Sequence, residues 1–361
     1  MDPKEIAFHR LKNQQLASTD FQTPKQLVGW MGAMQAQDYN HAKWAIGVRL
    51  PHLTDNQIED AFNRGEILRT HIMRPTWHFV SADDIYWMLE LTSPQIRAVL
   101  NSRHRDLGIT EFLVNKCYLV IEEALNSNEG QVMTREELLQ ELDYAGIPTD
   151  LQRASHFMLR AEIDGIVCSG PLKAKKQTYA LLSKRVPERK TLTKEEALAK
   201  LAKSYFLSHG PATVADFAWW SGLSATEARK GLETIKNDLI SVRIASDTYW
   251  YSGSSVNAGK LPDSVYLLPA YDEFLISYKN RNASITEEDH KKAISSNGIF
   301  RPVVLVNGQI SGLWEKVTQK GSVMVETEYF RPHNKTEEQL LIQAVQSFGN
   351  YTGKKVEITI E

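Results

Sequence analysis

Hydrophobic and polar positions in this chain follow a helical period in pairs of short segments, and each pair is followed by two strand-like runs. The clearest case lies between Thr134 and Leu182. Thr134–Glu137 has the spacing of a capping box, and Asp150 is placed to cap a second amphipathic helix. Residues 166–168 and 178–181 then have the hydrophobic pattern of two strands, as in a β-hairpin. Helix, turn, helix and hairpin is the order of a winged helix, which we expect here.

The same order of elements is predicted twice more. Near the N-terminus, Thr23 precedes a helix expected to run to Met34, and Thr54 precedes a second helix. Further along, Thr213 and Ser224 stand before two more helices. The strands that follow are predicted at 67–71 and 76–80 in the first case, and at 239–242 and 248–251 in the other. Three divergent copies of one domain explain this pattern better than a regular solenoid does.

From about Pro262 the pattern changes to strand-like runs. These lie at 265–268, 302–306, 322–326 and 356–360, and Asn307-Gly308 is a strong two-residue hairpin sequence. A small antiparallel sheet or barrel is expected. The fold class is therefore α+β, with three tandem winged-helix domains and a C-terminal β-rich, barrel-like element. The expected boundaries are 1–110, 111–190, 191–258 and 259–361.

Composition excludes several classes of protein. With 361 residues, 42% hydrophobic and 24% charged, the chain is not disordered, collagen-like or a coiled coil. Its 42 basic and 44 acidic residues nearly cancel, so binding to nucleic acid would need local basic patches. Two cysteines, Cys117 and Cys168, are too few for a disulfide framework and favour a reducing compartment. No apolar run approaches 18 residues and no signal peptide is recognised, so we expect a soluble, cytoplasmic protein without membrane contact.

Several kinds of catalytic chemistry find no support in the sequence. Neither HExxH nor Cys/His spacing for a metal is present, and phosphate-binding glycine loops and a GxSxG elbow are missing. No metal or cofactor is therefore expected. The carboxylate pair Asp83-Asp84 stands at a predicted helix start, where acidic residues favour the helix dipole. Asp272 and Glu273 lie between apolar residues, and a structural pair at a domain junction is favoured over a catalytic one.

Two polar segments are candidates for function. Gln35 and Gln37 flank a small residue at the end of the first predicted helix. An extended backbone would bring their amides to one side, whereas a helix would separate them by about 200°. Taken alone, two solvated glutamines at a helix end are the simpler interpretation. The second segment is a hairpin over 69–79, whose apolar members Ile72, Trp77 and Phe79 are expected in the core. Its polar residues are Arg69, Thr70, His71, Arg74, Thr76 and His78.

Basic residues cluster where a winged helix would contact phosphate. Seven lie between 173 and 190 against a single acidic residue, Glu188, and Lys173, Lys175 and Lys176 fall in the wing of the second copy. A further cluster covers 97–105. Because the first cluster overlaps a wing, DNA binding is favoured over a merely solvated face.

Several of these segments together resemble a known family. The motifs are Gln35–Tyr39 with Ala42–Ala45, Leu68–His71 with Met73–Val80, Leu267–Phe274 and Gly298–Val303. They are similar to the winged-helix DNA glycosylases of the AlkZ-like and YcaQ-like type. The resemblance implies three winged helices and a barrel-like element embracing duplex DNA. It also implies excision of alkylated bases, in some members by unhooking interstrand crosslinks. The Gln-Φ-Gln form at Gln35 and Gln37 points to the AlkZ-like branch.

The resemblance implies a monomeric, metal-independent glycosylase in which Gln35 and Gln37 position the hydrolytic water. A base alkylated at N7 is cationic and already a good leaving group, so neutral amides that hold a water are sufficient. The hairpin over 69–79 would grip alkylated duplex DNA. Two other functions stay open: a non-catalytic winged-helix regulator, and a hydrolase that uses Asp272 or Glu273. Three unlike repeats without an obvious dimerisation helix argue against a dimeric regulator.

Overall fold

The computed structural model describes residues 1–150, 152–253 and 262–360, and it is a mixed α+β structure. Helix α1 covers Pro3–Asn13. A first unit then follows, in which Thr23 and Thr54 precede helices as expected and each forms a capping box. Its elements are α2 (Pro24–Met31), β1 (Met34–Gln35), α3 (Tyr39–Gly47), α4 (Asp55–Arg64), β2 (Ile67–Met73) and β3 (Thr76–Ser81). Its antiparallel sheet has the order β1-β3-β2.

The opening helix of this unit is shorter than expected. It ends at Met31, because Gly32 takes a positive φ of 80° that turns the chain out of the helix. Met34, predicted at the helix end, instead begins β1. An additional helix, α3, starts after Asp38, whose carboxylate accepts a hydrogen bond from the His41 amide.

A second unit has the same element order. After the long helix α5 (Ile85–Asp106), it contains α6 (Glu111–Ser127), β4 (Val132–Thr134), α7 (Arg135–Tyr144), α8 (Arg153–Ile163), β5 (Val167–Ser169), β6 (Thr178–Leu181) and the short α9 (Leu182–Arg185). The sheet order β4-β6-β5 matches that of the first unit. The capping box at Thr134 is confirmed, but Asp150 does not cap α8. Its carboxylate pairs with Arg153 at 3.0 Å instead.

A third unit repeats helices and hairpin with a shorter sheet. It consists of α10 (Lys194–Ser208), α11 (Val214–Ser221), α12 (Ala225–Ile235), β7 (Leu239–Ile244) and β8 (Asp247–Ser252). Thr213 and Ser224 precede helices as predicted, and each forms a capping box. Ala212 pairs with Trp250 beside the β7–β8 hairpin.

The C-terminal part is built on a five-stranded sheet. Its elements are β9 (Val265–Leu268), α13 (Glu273–Ile276), α14 (Glu287–Ala293), β10 (Val303–Val306), β11 (Gln309–Thr318), β12 (Ser322–Tyr329), α15 (Lys335–Thr352) and β13 (Lys355–Ile360). The order β13-β12-β11-β10-β9 forms an open half-barrel. The expected purely antiparallel arrangement is wrong at one edge, where β13 runs parallel to β12. A parallel neighbour requires a crossover, which α15 supplies. The expected boundary at 258 lies outside the described residues.

Buried side chains join these units to one another. Trp44 of α3 packs edge-on against Phe348 of α15, with ring centres 4.9 Å apart. Ile72 of the first hairpin shares a buried cluster with Trp220 of α11. As a result, the first unit is held between the third unit and the C-terminal sheet. Within residues 1–150, 152–253 and 262–360, no helix is long and apolar enough to cross a membrane.

Candidate active site

The segment that carries Gln35 and Gln37 is extended, not helical. Gln35 lies opposite His78 in the β1–β3 pair, and the Ala36 amide donates to the Trp77 carbonyl at 2.8 Å. The two glutamines differ in environment, since the Gln35 side chain is only 6% exposed and Gln37 is exposed. One glutamine is therefore fixed inside the protein and the other faces solvent.

Glu273, at the start of α13, lies directly behind Gln35. Its Oε1 accepts a hydrogen bond from the Gln35 amide at 2.5 Å, and its Oε2 accepts one from Trp220 Nε1 at 3.1 Å. The Ser277 hydroxyl also donates to Oε2, and His209 Nε2 lies 3.6 Å from it. Burial by itself raises the pKa of Glu273, but His209, Ser277 and the Gln35 amide together lower it to about 2. A buried, ionised carboxylate therefore supports the glutamine segment.

The side chain of Gln35 faces the tip of the β2–β3 hairpin. Its Oε1 lies 3.4 Å from Arg74 Nη2 and 3.5 Å from the Thr76 hydroxyl. Burial lowers the pKa of Arg74, while the charge of Glu273 opposes that shift. The neighbouring His78 is fully buried, and burial together with the charge of Arg74 lowers its pKa to about 3. A cation and a neutral imidazole thus lie beside Gln35.

Arg69 supports the glutamine segment from its other side. Its guanidinium donates to the carbonyl of Ala36 at 2.8 Å and to that of Gln37 at 3.1 Å, and it stacks over Trp77 at 4.4 Å. Glu273 and Arg69 together engage the backbone of all three residues from Gln35 to Gln37. Arg69 therefore has a structural role within the protein, in addition to any contact with DNA.

The remaining hairpin residues divide by burial. Thr70, His71 and His78 are buried, and His71 donates its backbone amide to the Glu162 carboxylate at 2.8 Å, with Nδ1 at 2.9 Å. Thr76, Arg69 and Arg74 remain partly exposed. Ile72 and Phe79 are in the core as expected, whereas Trp77 is only half-buried. Only part of the hairpin can therefore reach a ligand.

The hairpin and the wing of the second unit line one cavity of about 350 Å³. Arg69, Trp77 and Lys176 are among the lining residues, together with Glu162 at its base. Lys173 and Lys175 are exposed on the same wing, and Lys173 pairs with Glu137 at 3.1 Å. The structure therefore brings the basic wing next to the glutamine segment, with Arg69 between them.

Asp272 forms a buried ion pair with Arg49. Both of its oxygens accept hydrogen bonds from Arg49 at 2.8 Å, and both side chains are buried. The pair joins the segment that follows α3 to the start of α13, as expected of carboxylates at a junction. In the part of the chain that the structure describes, no group of His, Cys, Asp or Glu is placed to hold a metal ion.

Aromatic residues of α11 complete the site. Trp219 is 41% exposed, whereas its neighbour Trp220 is buried. The Trp219 ring lies 5.9 Å from the guanidinium of Arg74 and 5.4 Å from that of Arg281. Neither tryptophan, nor Arg281 or His209, belongs to a motif that a sequence search would have selected.

Comparison with known proteins gives a consistent result. The family model described as DNA glycosylase AlkZ-like matches residues 28–351. An interstrand DNA cross-link repair glycosylase from Streptomyces sahachiroi is 23% identical over 336 residues, which cover 88% of each chain. The solved structure of the S. sahachiroi DNA glycosylase AlkZ superposes with a TM-score of 0.83 at 20% identity and covers 99% of both chains. The match over most of the sequence shows that this chain belongs to the AlkZ-like family of DNA glycosylases.

Proposed function

We propose that this DNA glycosylase hydrolyses the N-glycosidic bond of cationic alkylated bases such as N7-alkylguanine, with Gln35 and Gln37 positioning the water. One observation carries the proposal. The Gln35 backbone is fixed on both sides, yet its carboxamide has only long contacts, at 3.4 and 3.5 Å, and its Nε2 has no partner among the described residues. A rigidly held but unengaged amide is suited to bind a water as donor and acceptor together.

The charges around Gln35 fit a cationic substrate. Alkylation at N7 makes guanine a good leaving group, so little general-acid help is needed. The enzyme then mainly has to position the hydrolytic water. Arg74 alone would oppose a positive charge that develops at the sugar. The ionised Glu273 offsets this effect, because its carboxylate carries the opposite charge within the same buried cluster.

Duplex DNA is proposed to lie across the exposed part of the hairpin and the wing of the second unit. Arg74, Thr76, Lys175 and Lys176 supply donors and positive charge there, while Lys173 would have to leave its exposed pair with Glu137. Thr70, His71 and His78 are left out of this surface because they are buried.

We further propose that the three helical units are winged helices, divided at 110 and 190, and that the enzyme acts as a monomer on cytoplasmic DNA. The recurring sheet order in the first two units supports the first point. Acceptance of interstrand crosslinks is a finer proposal, supported by the name of the S. sahachiroi relative. Sedimentation with and without duplex tests the monomer, and a crosslinked duplex tests the unhooking.

The central experiment is single-turnover excision from a duplex that contains one N7-methylguanine. Gln35→Ala and Gln37→Ala should each slow excision by about 10²-fold or more, because the water loses its position. Gln37→Asp should be milder, since a carboxylate still accepts from the water. Duplex affinity should stay within a few-fold, because phosphate contacts supply most of it.

Gln346→Ala is the matched control. This glutamine is exposed on α15, and its side chain donates a hydrogen bond to Asn350, so its loss should leave excision unchanged. Wild-type rates in both Gln35→Ala and Gln37→Ala would refute the assignment of the water. Absence of excision by the wild-type protein, together with tight binding to one DNA sequence, would favour the regulator instead.

A further inference from the structure

Glu273 has a contact pattern that the hydrolysis of a glycosidic bond does not by itself explain. We infer that it is a positioning residue: by accepting the hydrogen bond of the Gln35 amide, it fixes the backbone from which the water-binding carboxamide projects. The inference rests on the proposed role of Gln35. The C-terminal part of the chain would then contribute a residue to a site whose glutamines lie near the N-terminus.

The two oxygens of Glu273 hold different parts of the molecule. Oε1 faces the first unit and accepts from Gln35 at 2.5 Å. Oε2 faces the third unit and α13, where it accepts from Trp220 at 3.1 Å and from Ser277. The carboxylate is thus a rigid link that sets the distance between β1 and α11.

The Gln35 amide has no other acceptor in the sheet. Strand β1 has only two residues and pairs with β3 on one side alone, and the next ladder hydrogen bond is donated by Ala36. The Gln35 N–H points to the open edge of β1, where a buried amide without an acceptor would cost free energy. Glu273 takes the place that a neighbouring strand would occupy.

Direct catalysis by Glu273 does not fit its surroundings. The residue is 2% exposed, and both oxygens are occupied by donors from the protein. A base or nucleophile must reach the reacting atoms, whereas the buried carboxylate of Glu273 is held by donors of the protein itself. Its effect on the reaction is therefore exerted through Gln35.

The critical variant is Glu273→Gln. A carboxamide has one acceptor oxygen, so it cannot serve the Gln35 amide and the Trp220 and Ser277 donors at the same time. Its NH₂ group would face one of those donors and push it away. A displacement of about 1 Å at the reacting centre is enough for a 10²-fold loss, and we expect single-turnover excision of N7-methylguanine to fall by about that factor.

Asp216→Asn is the matched control. Asp216 is another buried carboxylate that joins α11 to the segment after α13, with Oδ1 accepting from the amides of Lys279 and Asn280 at 2.9 and 3.1 Å. It makes no contact with Gln35. We expect its replacement to lower the melting temperature much as Glu273→Gln does, while the excision rate constant stays within about threefold of wild type.

Amide hydrogen exchange over residues 33–38 provides a readout that does not depend on activity. Exchange of the Gln35 amide should be faster in Glu273→Gln than in wild type or Asp216→Asn, and duplex affinity should be unchanged. If the wild-type protein excises nothing, the proposed function fails, but the exchange measurement still decides the positioning role.

Two results would overturn the inference. One is a wild-type excision rate in Glu273→Gln with unchanged exchange. The other is a parallel loss of excision, duplex affinity and melting temperature in both Glu273→Gln and Asp216→Asn, which would mark a general structural role. Glu273→Asp keeps the charge and both acceptors on a shorter side chain. Glu273→Asp replaces Glu273→Gln if the latter does not fold. It should give an intermediate excision rate and faster exchange of the Gln35 amide. A wild-type excision rate together with wild-type exchange would also overturn the inference.

Discussion

Replacing Asp272 by asparagine removes one negative charge from an ion pair that lies in the interior. Arg49 is fully buried and donates to both oxygens of Asp272 at 2.8 Å. An asparagine preserves the size of the side chain. It also preserves the cap on α13, where the Phe274 amide donates at 2.9 Å, because asparagine caps helices as well as aspartate does. The substitution therefore isolates the charge.

The magnitude follows from the contacts that Arg49 retains. Breaking a buried ion pair by removing one partner costs about 3–5 kcal/mol. Arg49 keeps the carbonyls of Gln14 and Ala45, each at 2.9 Å, so we take the lower end, about 3 kcal/mol. At about 2.1 cal/mol/K of unfolding entropy per residue over 361 residues, this corresponds to a melting temperature lowered by about 4 °C.

The assay combines calorimetry with single-turnover excision at 25 °C. We expect the melting temperature of Asp272→Asn to fall by about 4 °C while excision stays within about threefold of wild type. Asp272→Ala should lose about 1 kcal/mol more, because the cap is lost as well. An unchanged melting temperature with abolished excision would refute this reasoning and give Asp272 a chemical role.

Three further outcomes are expected. Burial raises the pKa of Glu162, but attraction and hydrogen bonds from His71 lower it below its usual 4.5. The stabilisation of the fold by the ionised Glu162 is therefore complete above about pH 4.5 and is lost as the pH falls through the folded pKa. The difference in melting temperature between wild type and Glu162→Gln should accordingly shrink between pH 7 and pH 3. A constant difference would contradict this. Lys175→Glu and Lys176→Glu should each reduce the log–log salt slope of duplex binding by about one, and an unchanged slope would mean that these lysines are only solvated. In Gly47→Ala the new Cβ would lie 2.7 Å from the Tyr351 ring, so calorimetry should show a loss of about 1–3 kcal/mol, and wild-type stability would show that the ring moves aside freely.

Local rules predicted most of the helices. The helix starts predicted at Thr23, Thr54, Thr134 and Ser224 are confirmed, and each of these residues forms a capping box, which depends only on residues three apart in the sequence. The parallel pairing of β13 was not predictable in this way. It depends on where an 18-residue helix returns the chain, which is a matter of packing and not of sequence pattern.

The site was predicted in part. Gln35 and Gln37 were selected by their resemblance to a family motif, but the burial of Thr70 and His78 follows from tertiary packing that polarity alone does not reveal. In the same way, nothing in the residues around Glu273 indicates that its carboxylate would meet a backbone amide 238 positions earlier. Contacts between distant segments decided which polar residues remain available.

The link between Glu273 and Gln35 has a consequence for the order in which the enzyme is made. During synthesis the segment with both glutamines leaves the ribosome early, while its buried acceptor is translated after roughly three quarters of the chain. Until then the Gln35 amide lacks the partner that fixes it. On the proposed role of Gln35, we therefore expect that a nascent or truncated chain that carries the Gln-Ala-Gln sequence does not yet excise bases, and that excision begins only once the C-terminal segment has folded against the rest.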